Sequence, residues 1–162
     1  MAERKKMYLG HVNLYVRDSD VSREWYERVL GLHCYHHRPG VASFMSADLD
    51  QSHEVALMTL GKDAPLQAKG QVGLNHLAFM VESLDLLKDY YRRLQANNVK
   101  VEHISDHGIS LGIYFRDPDG NGVEVSYELP RDEWPVQEQV FGLPPDQRGR
   151  FPGPWDADPA RR

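Results

Sequence analysis

Arg116-Asp117-Pro118-Asp119-Gly120-Asn121-Gly122-Val123-Glu124-Val125-Ser126-Tyr127 reads as a strand end, a tight turn and a return strand that carries one acidic residue. Pro fixes φ at the first corner of Asp-Pro-Asp-Gly, and Gly accepts the positive φ that follows. On the return strand Val123, Val125 and Tyr127 share one face, and Glu124 and Ser126 share the other. A carboxylate in the middle of a β-branched strand is costly to bury unless something positive meets it. The search for that positive partner runs outward along the chain.

Upstream, Tyr8 to Val16 alternates, with Val12, Leu14 and Val16 on one face and His11, Asn13 and Tyr15 on the other. Asp18, Ser19 and Asp20 offer N-cap oxygens to a helix with Val21, Trp25 and Val29 at helical spacing, which Gly31 ends. Extended pieces follow at Leu32 to Arg38, Val41 to Ala47 and His53 to Leu60. After an aperiodic stretch the first pattern returns: Asn75-His76-Leu77-Ala78-Phe79-Met80-Val81 echoes Gly10-His11-Val12-Asn13-Leu14-Tyr15-Val16, at an offset of 65 (76 − 11). Ser83 caps a second helix whose apolar stripe is Leu84, Leu87, Tyr91 and Leu94 and which Asn97-Asn98 stops; strands follow at Val99 to Ile104, Ile109 to Arg116 and Val123 to Glu128. This is a tandem duplication of β-α-β-β-β. The expected fold is α+β: two βαβββ modules forming a curved mixed sheet, a cup or open barrel, with helices outside. The modules span 1–61 and 74–129, joined by a linker at 62–73 and followed by a tail at 130–162, where seven of the ten prolines fall.

The duplication supplies the partner for Glu124. His11, His76 and Glu124 each stand on the face opposite their strand's aliphatic set, so they line the side of the sheet away from the helices. Two imidazoles and one carboxylate converging there make a two-His-one-carboxylate triad that leaves coordination positions open on a divalent metal.

A hydrophobic content of 41% with 27% charged residues is ordinary for a soluble globular protein. A net charge of −5 without a Lys/Arg cluster argues against a nucleic-acid or anionic-membrane partner. No apolar run approaches the roughly 20 residues that span a bilayer. The basic start is not followed by the apolar region of a secretory signal. Cys34 is the single cysteine, which excludes an intrachain disulfide and a thiolate metal site, and a reducing, cytoplasmic setting is expected.

With the triad in place, residues 7 to 128 resemble the vicinal oxygen chelate (glyoxalase/bleomycin resistance/dioxygenase) superfamily. Within it they are most similar to type I extradiol ring-cleavage dioxygenases of the catechol 2,3-dioxygenase type. The resemblance puts the family's metal ligands on His11, His76 and Glu124. The Arg-Asp-Pro-Asp-Gly-Asn turn is shared across the superfamily and does not choose a reaction. Ser52-His53-Glu54-Val55-Ala56-Leu57 resembles the dioxygenases' histidine before a short apolar strand, which implies an acid–base role for His53. Asp106-His107-Gly108 resembles their second pocket histidine, and Tyr114, ten residues before Glu124 (124 − 114), their substrate-binding tyrosine. Isomerases and thiol-handling members carry a fourth ligand on the last strand of the first half, where this chain has Val55-Ala56-Leu57-Met58.

What the resemblance implies is a dioxygenase acting on a small catecholic diol and dioxygen, in a homodimer or higher homo-oligomer. Dioxygen is a triplet and the diol a closed shell, so the metal must be redox-active: Fe²⁺, with Mn²⁺ possible from the same ligands. Two other readings stay open. One is a lyase, isomerase or epoxide-opening enzyme of the superfamily; the other is a drug-binding resistance protein without metal. His33, His36, His37 and His103 are expected at the surface or the pocket rim.

Overall fold

A computed structural model describes residues 8–68 and 70–134; most of the proline-rich tail therefore lies outside the described residues. The chain divides into two compact units, Met1–Leu66 and Gln67–Arg162. Each unit carries one four-stranded mixed sheet, on the expected βαβββ plan.

In the first unit β1 (Val12–Val16) leads into α1 (Ser19–Trp25), and β2 (His33–Arg38), β3 (Ala42–Ser46) and β4 (Val55–Thr59) follow. The strand order is β1-β4-β3-β2, with β1 parallel to β4 and the other pairs antiparallel. Asp18 is the N-cap, its carboxylate accepting from the Asp20 and Val21 amides, a device that contributes about 1 kcal/mol. The helix widens into a π turn over Tyr26–Leu30 and stops at Gly31 in the left-handed region. Its buried face is Ser22, Trp25, Tyr26 and Val29, while Val21 is 54% exposed. Val21 was expected inward, but it sits one position off the i, i+3, i+4, i+7 stripe that starts at Ser22.

The second unit repeats the plan. β5 (Leu77–Val81), α2 (Leu84–Ala96), β6 (Val101–Asp106), β7 (Ser110–Arg116) and β8 (Gly122–Glu128) form a sheet of order β5-β8-β7-β6. Ser83 accepts from the Leu86 amide at the start of α2. Leu87, Tyr91 and Leu94 are buried along the helix, and Asn98 leaves it at φ 55. Among the described residues no helix is long and apolar enough to cross a membrane.

The turn from β7 to β8 is built on Asp117, which is buried. Its carboxylate accepts from the Asp119 and Asn121 amides at 3.0 and 2.8 Å and from the Asn121 side chain at 2.8 Å. Gly120, at φ 83, turns the corner. Arg116 donates to the Gly120 carbonyl, and the strands then pair Arg116 with Gly122 and Tyr114 with Glu124. The turn therefore fixes the register that brings the acidic side chain opposite the tyrosine.

Candidate metal centre

Glu124 sits in the middle of β8 and is 7% exposed. Two glycines make room for it. A Cβ on Gly112, in β7, would lie 2.2 Å from Glu124 Oε1. A Cβ on Gly122 would lie 2.2 Å from the Asn75 carbonyl oxygen and 3.0 Å from His76 Cβ. Glycine inside a strand marks this kind of close approach. Gly122 lets β8 press against the entry to β5, and His76 Nε2 ends 3.0 Å from Glu124 Oε2.

The rest of the second unit's cluster gathers on Tyr114. Its ring is 5.3 Å from that of His76, edge to face, and 4.3 Å from that of His103, stacked at 8°. The phenol oxygen is 3.1 Å from His107 Nε2. Burial first, then a hydrogen bond to Glu124, hold the Tyr114 phenol well above its ordinary pKa. A phenol that donates its one hydrogen to Glu124 can only accept from His107, so the order runs His107 N–H to Tyr114 O–H to Glu124.

In the first unit His11 and His53 are ring neighbours at 4.5 Å. The Val12 amide donates to the Glu54 carbonyl and the Glu54 amide to the Met45 carbonyl, which ties the chain beside both histidines to the sheet. Ser52 Oγ lies 3.0 Å from His53 Nδ1, and Phe44 meets the His53 ring edge-on at 5.4 Å. His11 and His76 fall one residue ahead of β1 and β5 rather than inside them.

His76 and Glu124 provide the fit test for a metal. Asn75 Oδ1 lies 2.7 Å from His76 Nδ1; an amide oxygen only accepts, so Nδ1 carries the hydrogen. A neutral His76 then turns a bare Nε2 toward a carboxylate oxygen. Two acceptors 3.0 Å apart need a positive charge with them, a proton or a metal ion. Imidazole and carboxylate bind divalent ions at about 2.0–2.2 Å, which leaves neighbouring donors roughly 3 Å apart. The pair fits. Among the described residues no group of three or more His, Cys, Asp or Glu side chains is gathered as a ready-made cation site. The structure thus brings His76, Glu124, Tyr114 and His107 together in one unit, and His11 and His53 together in the other.

His103 has more contact with the site than its expected place at the rim implied. It is exposed, yet it lies flat on Tyr114 because the two are register partners across β6 and β7. Equal strand positions facing one sheet side were the signal, obscured by the bulge between Val101 and His103. His36 is likewise paired with Phe44. His37 bonds Ser43 at 2.9 Å and lies 3.5 Å from Asp20, a structural role.

Comparison with known proteins adds the family. The model described as Glyoxalase/Bleomycin resistance protein/Dioxygenase superfamily matches residues 8–125. Biphenyl-2,3-diol 1,2-dioxygenase 3 of Rhodococcus globerulus is 33% identical over 121 residues, covering 74% of this chain and 63% of that one. Catechol-2,3-dioxygenase of Bacillus subtilis (strain 168) is 26% identical over 130 residues, covering 78% and 44%. The crystal structure of a glyoxylase/bleomycin resistance protein/dioxygenase domain from Frankia sp. EAN1pec matches with a TM-score of 0.64 at 26% identity, covering 76% of this chain and 99% of that one. The chain spans less than two thirds of the length of each of these two dioxygenases.

Proposed function

This chain belongs to the glyoxalase/bleomycin resistance protein/dioxygenase superfamily, and from that premise we propose that it is an iron-dependent extradiol ring-cleavage dioxygenase acting on a catechol-type diol. The relatives named as dioxygenases of 2,3-diols and catechol support the reaction class.

One observation carries the reading. Register equates Ala56 of the first half with Glu124 of the second: Asn13 pairs with Ala56 where Ala78 pairs with Glu124, and Phe44 pairs with Ala56 where Tyr114 pairs with Glu124. A site built from this duplication has one carboxylate, not two. With His11 and His76 that makes three protein ligands, and open positions remain for two substrate oxygens and dioxygen.

What a divalent iron supplies when held there is one-electron transfer between a closed-shell diol and triplet dioxygen. The chain's own side chains do the rest. Glu124 contributes negative charge, which lowers the net charge of the centre and favours electron donation. Tyr114, the register partner of Glu124 across the strands, orients a diol oxygen as a hydrogen-bond partner. His107, 3.1 Å from that phenol, holds it in place. His53 gives and takes the proton of the cleavage step, since imidazole ordinarily titrates near neutrality. Ser52 at its Nδ1 keeps the ring aimed.

Anaerobic reconstitution with Fe²⁺, followed by aerated substituted catechols, is the test. A yellow ring-cleavage product is expected, with its formation stopping once the iron is oxidised. Full activity with Zn²⁺ or Mg²⁺, or no turnover of any catechol by iron-loaded protein, would overturn the proposal.

A further inference from the structure

We infer that Asn75 is a positioning residue for the metal centre, fixing which nitrogen of His76 faces Glu124; this rests on the reading that His76 and Glu124 hold a divalent ion. Two independent observations converge on Asn75. Its side-chain oxygen takes the Nδ1 hydrogen of His76 at 2.7 Å, which leaves Nε2 as the nitrogen directed at Glu124, 3.0 Å away. Its backbone oxygen occupies the space that a Cβ at Gly122 would claim, 2.2 Å from that position. The residue is thus held by its backbone against β8 while its side chain sets the imidazole tautomer. A ligand imidazole with its second N–H held by a fixed acceptor is more basic and already oriented.

The repeat provides an internal control. The position equivalent to Asn75 in the first half (75 − 65) is Gly10, which has no side chain to offer His11. The partner strand is reversed in the same sense. Val55 and Val123 are register equivalents, so Glu54 corresponds to Gly122. Where the first half has glycine before the histidine and a side chain across from it, the second half has a side chain before the histidine and glycine across from it. Orientation of the imidazole from the preceding residue is therefore a property of the second half, the half that also carries the carboxylate.

The test is anaerobic titration of Fe²⁺ alone into the metal-free full chain and its variants, read as a dissociation constant. N75A is expected to weaken Fe²⁺ binding about 10–100-fold, as is usual when a ligand loses its supporting acceptor. N75D, which keeps an acceptor for Nδ1–H, is expected to stay within about threefold of the unaltered chain, and both variants to unfold at its temperature when metal-free. In the Zn²⁺-loaded unaltered protein, long-range proton–nitrogen correlations of His76 should show the hydrogen on Nδ1, a readout that holds whether or not N75A folds. Fe²⁺ binding by N75A within about threefold of the unaltered chain, with H76A abolishing binding, would overturn the role of Asn75 and leave the ligand assignment standing. Binding that ignores H76A, or an unaltered chain that takes up no Fe²⁺, would instead overturn the ligand assignment, and this inference with it.

Discussion

The two halves of the chain share strand order and register yet fill equivalent positions with opposite chemistry. His11 matches His76, and His36 matches His103, so both sheets carry imidazoles at the same two places. Between them the first half has Ala56 and Phe44 where the second has Glu124 and Tyr114. The first half thus presents imidazoles beside an apolar ring, and the second presents imidazoles beside a buried carboxylate and a phenol. The difference teaches where charge can be afforded. Glu124 is buried among His76, Tyr114 and two glycines that make space for it, whereas Ala56, 1% exposed, is flanked in the sheet by Asn13 and Phe44. A carboxylate at Ala56 would face the apolar Phe44 ring where Glu124 faces a phenol, and would be desolvated without that hydrogen bond.

The largest expected effect tests whether the first half supplies the proton. Replacing His53 by Phe keeps a ring beside His11 and Phe44 but removes the acid–base group. Turnover of the iron-loaded protein should fall by about 10²–10⁴-fold, the usual contribution of such a group, while iron content stays the same. Unchanged turnover would take His53 out of the mechanism and move the proton chemistry to the second half.

A smaller effect comes from exchanging the two aromatic residues. Y114F preserves the stack on His103 and the edge contact with His76 but removes the hydroxyl that bonds Glu124 and His107. Hydrogen bonds to charged groups contribute about 1.5–3 kcal/mol, so turnover should drop roughly 10–100-fold. F44Y adds a hydroxyl opposite Ala56, where no carboxylate waits, and should change turnover by less than about threefold. Equal effects of the two substitutions would break the distinction between an apolar and a polar half.

Much of this contrast was legible in the sequence. The repeated histidine with its alternating aliphatic set pointed to two βαβββ modules, and of the three expected ligands the structure brings His76 and Glu124 together at 3.0 Å. Asp-Pro-Asp-Gly-Asn announced a tight turn, and the structure adds that the Asp117 carboxylate holds it together. Val21 stands at helical spacing from Trp25 and Val29 yet is exposed, because the buried stripe also takes in Tyr26, which lies i+4 from Ser22 and i+5 from Val21. The roles of Gly112, Gly122 and Asn75 were not legible. They depend on how closely two strands approach, and no local propensity encodes that distance. His103 was missed for a related reason: a bulge breaks the simple count that pairs it with Tyr114.

The smallest effect separates the halves through their glycines. A methyl group on Gly122 would enter the space of the Asn75 carbonyl, a backbone atom that cannot rotate away. Strand β8 must then move from the entry to β5, and G122A should lower stability by about 1–3 kcal/mol, the range for overpacked sites. Gly10 stands where Asn75 stands in the other half, and a Cβ there meets nothing within 4 Å. Since its φ is not in the left-handed region, G10A should stay within about 0.5 kcal/mol of the unaltered chain. Urea unfolding of the metal-free proteins measures both. Because the crowded glycine lies beside His76 and Glu124, only G122A should also weaken Fe²⁺ binding; a loss of stability without a loss of affinity would show that close strand approach serves the fold and not the metal centre.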